Sequence, residues 1–235
     1  MLLLTGQAVA QDAQRILFIG NSFTKNGGLA QMTQSLAASI GQPRVFDVED
    51  VSFGGATLSK HIARGDALAA IEAGGWDVVV LQDFSDVALN GQKRRASARA
   101  AGELATAARA AGAELVFFAP WAPGSTPERR RDTVTMQIER HYAGLARRYG
   151  GRLARVGRAW RRALALLDTT ALRLEDDHHA NLNGTYLAAL VVHAAIMGEA
   201  VLPRWAPEGL DDGDANRFRA IADALQAEGE NTAKR

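Results

Sequence analysis

The chain has 235 residues, which at about 150 residues per domain fits one long α/β domain better than two. Apolar residues make up 47% and charged residues 23%, ordinary globular usage that excludes disorder and fibrous repeats. Lys and Arg number 27 against 26 Asp and Glu, a net charge of +1 that marks neither nucleic acid nor an anionic membrane as the main partner. With Cys at 0, disulfides, thiolate metal sites and a cysteine nucleophile are also excluded. Any nucleophile must be an oxygen or a nitrogen.

Residues 1–10 join a short apolar run, Met1 to Leu4, to Ala8-Val9-Ala10, which fits a small-residue cleavage pattern. The expectation is a truncated signal peptide and a secreted or periplasmic protein; a frayed tail on a cytoplasmic protein is the alternative. No stretch is long and apolar enough to span a membrane. A single domain is expected over 15–230, with no repeats. Short apolar runs at 15–20, 44–51, 77–82, 114–119 and, more weakly, 153–156 read as strands. Val78-Val79-Val80-Leu81 is continuous rather than alternating, as in a parallel strand covered on both faces. Helices fall between the runs. Leu29, Met32, Leu36 and Ile40 share one face before Gly41, and Thr126-Pro127 reads as an N-cap followed by a first-turn proline. Eleven arginines lie between Arg129 and Arg162, read mainly as solvated helix faces, with a basic rim for anionic substrates as the alternative. Leu187, Leu190, Val191, Ala194 and Ala195 form a last strongly periodic helix ending near Gly198, followed by a connector and a weak helix at 216–228. The pattern is a doubly wound parallel sheet.

In such a sheet, ligands sit beyond the carboxyl ends of the strands, so polar residues just after each strand matter most. Gly20-Asn21-Ser22 puts Ser22 at a strand-to-helix turn, beside unpaired N–H groups that could face an oxyanion. A serine there is either a nucleophile or an N-cap. After the second strand, Gly54-Gly55 is either a simple turn or a place where a backbone N–H approaches a substrate oxygen with no Cβ in the way. After the third, Gln82 offers an amide donor at the start of Gln82-Asp83-Phe84-Ser85. The stretch from Glu175 to His179 precedes the last periodic helix. Its spacing lets Asp176 hold one imidazole nitrogen of His179 while the other takes a serine proton. An acidic solvated loop is one rival reading; a metal site using Asp176, Asp177, His178 and His179 is another.

Gly20-Asn21-Ser22, together with Asp176-x-x-His179 and the following Asn183-Gly184-Thr185-Tyr186-Leu187, resembles the SGNH/GDSL hydrolase family, in block order from about residue 16 to 198. The resemblance implies a single-domain, three-layer α/β/α fold with a flavodoxin-like parallel sheet. It further implies a catalytic triad of Ser22, Asp176 and His179, and an oxyanion hole from the Ser22 and Gly55 N–H groups. The chain departs from the family where Gly-x-Asn-Asp is usual. Its Gln82-Asp83-Phe84-Ser85 looks more like carbohydrate-esterase members, which makes the Gln82 side chain the third expected donor, with Ser85 and Asn90 as alternatives. His178 and Asp177 are out of register and read as loop polars. His61, His141 and His193, on predicted helices, read as surface or core histidines.

The function expected is therefore a serine esterase acting on short-chain or acetyl esters, on small molecules or glycans, with no cofactor required. Two rivals stay open: a binding module that has lost turnover, and the metal-dependent hydrolase.

Overall fold

The structure is a computed structural model that describes residues 13–40, 45–166, 172–199 and 203–233. The expected signal peptide over 1–10 and the Gly41 stop lie outside these residues. Five parallel strands form one sheet: β1 (Gln14–Ile19), β2 (Phe46–Asp50), β3 (Val78–Leu81), β4 (Glu114–Phe118) and β5 (Arg152–Ala154), in the order β2-β1-β3-β4-β5. That order reverses direction beside β1 and β3, where an open α/β sheet forms its ligand crevice.

Side chains alternate across the sheet. Ile16, Phe18, Val78, Val80, Val116 and Phe118 pack on one face; Leu17, Ile19, Val79, Leu81, Leu115 and Phe117 pack on the other. The first face is covered by α2 (Leu29–Ile40), α7 (Val156–Leu164) and α8 (Leu182–Met197), with α9 (Asp212–Ala233) packed outside α8. The second is covered by α3 (Leu58–Arg64), α4 (Asp66–Ala73), α5 (Gly91–Ala110) and α6 (Glu128–Tyr149). Because α8 lies between the sheet and α9, it is apolar and buried from Gly184 to Ile196. The short α1 (Ser22–Lys25) follows β1 directly.

Apart from strand ends that shift by one or two residues, three element boundaries differ from the sequence reading. The fifth strand ends at Ala154 and Val156 opens α7: after the ladder bond from Ala119 N–H to the Ala154 carbonyl (2.9 Å), the Gly157 N–H turns back to the Ala119 carbonyl (3.0 Å). Helix α6 has Pro127, not Thr126, at its N-cap; Thr126 sits in the preceding turn, where its carbonyl accepts from Arg131 Nε (3.2 Å). The last helix starts at Asp212, four residues early, because Asp211 Oδ1 takes the Asp214 N–H (3.0 Å). Much of the arginine-rich stretch is paired within the fold: Arg158 with Glu139 and Glu228, Arg161 with Asp132, Arg162 with Glu228.

Candidate active site

Asn21 starts the site. In an extended conformation at the end of β1, it caps α1 by accepting the Phe23 N–H on Oδ1 (2.9 Å), and its Nδ2 donates to the Ala56 carbonyl (3.2 Å). The first bond sets Ser22 at the head of α1, where its N–H has no partner among the described residues. The second draws the loop between β2 and α3 against the same turn. Gly55, next to Ala56 in that loop, has a left-handed φ of 65°, and the space a Cβ would fill there is open. Its N–H is likewise without a partner among the described residues.

The loop before α8 brings His179 to Ser22. His179 Nε2 lies 2.9 Å from Ser22 Oγ, and His179 Nδ1 lies 2.5 Å from Asp176 Oδ2. The other carboxylate oxygen of Asp176 accepts the N–H groups of His178 and His179, each at 2.9 Å. The His179 side-chain bond, then these two N–H groups, hold the Asp176 carboxyl well below the usual carboxylate range. Asp176 is therefore a fixed anion that orients the ring: Nδ1 donates to it, which leaves the Nε2 lone pair aimed at the serine hydroxyl. Ser22, Asp176 and His179 are thus brought together.

The segment after β4 clamps this loop. Trp121 Nε1 donates to the His178 carbonyl (3.0 Å), and the Gly124 N–H donates to His178 Nδ1 (3.2 Å). Gly124 passes so close that a Cβ there would collide with the Asp177 carbonyl. Asp177 itself takes a left-handed φ of 52° and ion-pairs with Arg131 of α6. The Phe23 ring stacks on Trp121 (centroids 4.2 Å), which stacks on Trp160 (3.9 Å), and His178 tilts against Phe23 (4.7 Å). His178 is consequently more than a loop polar. Its Nδ1 accepts, so its hydrogen sits on Nε2, and burial followed by the neighbouring His179 pushes its pKa down. Trp121, Gly124 and Arg131 escaped the sequence reading, because no motif spacing ties them to residues 176–179.

Gln82 requires a correction. Its side chain is buried, and its Oε1 accepts from the Asn21 N–H (2.9 Å) and Thr24 Oγ1 (3.0 Å). A backbone N–H needs an oxygen, so the amide orientation is fixed, and Nε2 is left donating to the Asp83 carbonyl. Gln82 braces the turn that carries Ser22 from behind, and its amide hydrogens are not free to serve as donors in an oxyanion hole. Neither alternative is better placed. Asn90 is an exposed cap, with Oδ1 taking the Gln92 and Lys93 N–H groups, and Ser85 is buried. Asp83, pushed up by burial, caps α3 by accepting the Leu58 N–H (3.1 Å).

The rival metal grouping finds no geometric support. Asp177 turns toward Arg131, His178 Nδ1 is taken by Gly124, and no group of three His, Asp or Glu among the described residues is arranged to hold an ion. No helix described is long and apolar enough to cross a membrane.

No protein-family model and no curated protein matches the chain. Solved structures do. A protein of Slackia heliotrinireducens, named as a candidate SGNH hydrolase, is 28% identical with a TM-score of 0.67, over 79% of this chain and 100% of its own. A DUF4886 family protein from Bacteroides uniformis is 18% identical with a TM-score of 0.76, over 91% of this chain and 95% of its own. A catalytic mutant of Axe2, an acetylxylan esterase from Geobacillus stearothermophilus, is 16% identical with a TM-score of 0.65, over 79% of this chain and 96% of its own.

Proposed function

We propose that this chain, a member of the SGNH hydrolases, is a serine esterase that forms an acyl-enzyme on Ser22. The observation that supports this most is the continuous line Ser22 Oγ, His179, Asp176, with contacts of 2.9 and 2.5 Å. His179 Nε2 removes the hydroxyl proton as Oγ attacks the ester carbonyl carbon, and Asp176 stabilises the imidazolium that results. The tetrahedral oxyanion is received by the unpaired N–H groups of Ser22 and Gly55, each worth on the order of 3 kcal/mol in such holes. His179 then passes its proton to the leaving alcohol, and water attacks the acyl-enzyme by the same steps in reverse. No step calls on a metal or cofactor.

For the substrate, we propose a small acyl group such as acetyl on a carbohydrate alcohol. A cleft of about 350 Å³ with a mostly apolar surface opens beside Gly55, where Phe84, Val87 and Ala96 suit a small acyl group and Thr57 and Ser59 offer hydroxyls to the alcohol side. The likeness of fold to an acetylxylan esterase supports the same reading, and so does the leader-like start if it directs export.

A panel of nitrophenyl esters and acetylated sugars, assayed with and without chelator, tests this reading. Turnover on acetyl esters that survives chelator, disappears in Ser22→Ala and is blocked by an organophosphonate bound to Ser22 is the expected result. Labelling of another serine overturns the nucleophile assignment. Turnover on no ester by the well-folded protein favours the binding module.

A further inference from the structure

A second histidine and carboxylate pair lies behind the nucleophile. His61, fully buried on α3, puts Nε2 2.8 Å from the Gly20 carbonyl oxygen and Nδ1 3.0 Å from Asp66 Oδ1. Gly20 is the last residue before Asn21-Ser22, so the ring bears on the peptide that leads into the nucleophile. A carbonyl oxygen only accepts, and so does an ionised carboxylate. Burial works against the charge of Asp66, but hydrogen bonds from His61, Arg64 and the Ala67 N–H hold its carboxyl below the ordinary range. Both ring nitrogens therefore face acceptors. A neutral ring would aim a lone pair at one of them at hydrogen-bond distance, with the ring itself shut off from solvent.

We propose that His61 is a positioning residue, a buried imidazolium suspended between Asp66 and the Gly20 carbonyl, that fixes the turn presenting Ser22. Its charged donor polarises the Gly20–Asn21 peptide, whose N–H continues to Gln82 Oε1 (2.9 Å), so that ring, peptide and amide form one mutually strengthened chain. The groups facing the ring come from each neighbouring segment. Asp66 lies at the head of α4, with Arg64 Nε on its second oxygen (2.7 Å). Phe53, from the loop that carries Gly55, lies edge-on at 4.7 Å. Asp83, at the end of β3, is a further acidic group near the ring, its own carboxyl pushed up by burial. The Arg64 cation is held on Asp66. The proposal rests on the Ser22 esterase reading for its effect on rate, and on geometry alone for the protonation state.

The test therefore has two independent readouts. Isotope-labelled histidine, with the His61 signals assigned by their loss in His61→Gln, is expected to show hydrogen on both ring nitrogens at neutral pH; one bare nitrogen in the wild-type ring overturns the proposal. On nitrophenyl acetate, His61→Leu is expected to lower kcat about 30-fold or more with KM within about twofold, the pattern of a misplaced nucleophile rather than a lost binding contact. His61→Gln, whose amide can still reach the Gly20 carbonyl, should recover kcat to within about fivefold of wild type. Equal losses in the two variants, or an unchanged kcat in a folded His61→Leu, overturn the positioning role. Should His61→Leu fail to fold, Asp66→Asn decides, since it keeps an acceptor and removes the counter-charge. A ring that reverts to one hydrogen, with a lowered kcat, supports the proposal; an unchanged ring and rate overturn it. If the wild type neither turns over esters nor takes the phosphonate on Ser22, the esterase reading fails, while the nitrogen signals still decide the state of His61.

Discussion

At the scale of single residues, the two ends of the proposed relay should fail unequally. His179→Ala removes the base, whereas Asp176→Asn leaves a base that is less firmly oriented and lacks its counter-charge, so kcat on nitrophenyl acetate should fall further in the first than in the second. Asp177→Asn should be milder than Asp176→Asn, because Asp177 faces Arg131 and not the ring. The reverse order would place the register one residue away. Gln82→Ala tests the corrected role. A donor acting only on the oxyanion would lower kcat and leave stability untouched; a brace holding the Asn21 N–H and Thr24 should lower the melting temperature together with kcat. A drop of about 100-fold in kcat at unchanged melting temperature would restore Gln82 to the hole. What was legible at this scale followed from position. Ser22 follows directly on a strand and Asp176-x-x-His179 precedes a capped helix, so chain geometry brings them to the carboxyl end of the sheet. Gln82 meets the Asn21 N–H 61 residues away and His61 meets the Gly20 carbonyl 41 residues away, and a lone histidine on an amphipathic helix carries no spacing that announces such a contact.

At the scale of elements, the loop that carries Asp176 and His179 is held mainly from outside itself. It makes a bridge of its own between Arg173 and Ala180, but its aim depends on the segment after β4 through Trp121 and Gly124, and on α6 through Arg131. Gly124→Ala should therefore act at a distance. The added Cβ meets backbone, the Asp177 carbonyl, which cannot swing aside as a side-chain tip could. The loop must shift, and with it Asp176 and His179. Reduced kcat by at least about tenfold with little change in KM is expected in steady-state assays on nitrophenyl acetate, and wild-type kinetics would show that the loop tolerates the displacement. The strands were readable because parallel strands buried on both faces show as unbroken apolar runs, as Val78 to Leu81 do. The Thr126-Pro127 boundary was misread by one residue because two capping signals sit side by side. Which helix buttresses which loop is a tertiary matter, invisible to local pattern.

At the scale of the whole molecule, stability should fall in acid over a defined window. His141 of α6, packed against Ser97 of α5 with Nε2 3.0 Å from its hydroxyl, is pushed down to about 4 by burial and then by the charge of Arg94. The native state thus takes up this proton only near pH 4, whereas the unfolded chain takes it up near 6.5. Stability from the neutral ring is complete above the unfolded value and is lost as pH falls from about 6.5 toward 4, by about 2 kcal/mol for a ring that keeps some contact with solvent. Urea unfolding across this range should show that slope, and His141→Gln should flatten it; an identical slope in the variant would mean that other groups, His178 among them, carry the effect. The sheet order has a different kind of consequence, for the life of the chain before it is complete. Ser22 and His179 lie 157 residues apart, and with α9 packed outside α8, the segment that orients the base is secured last. A chain emerging from the ribosome would carry its serine for most of synthesis without a partner to deprotonate it. A covalent serine probe applied during translation would therefore count finished, folded molecules and pass over nascent ones.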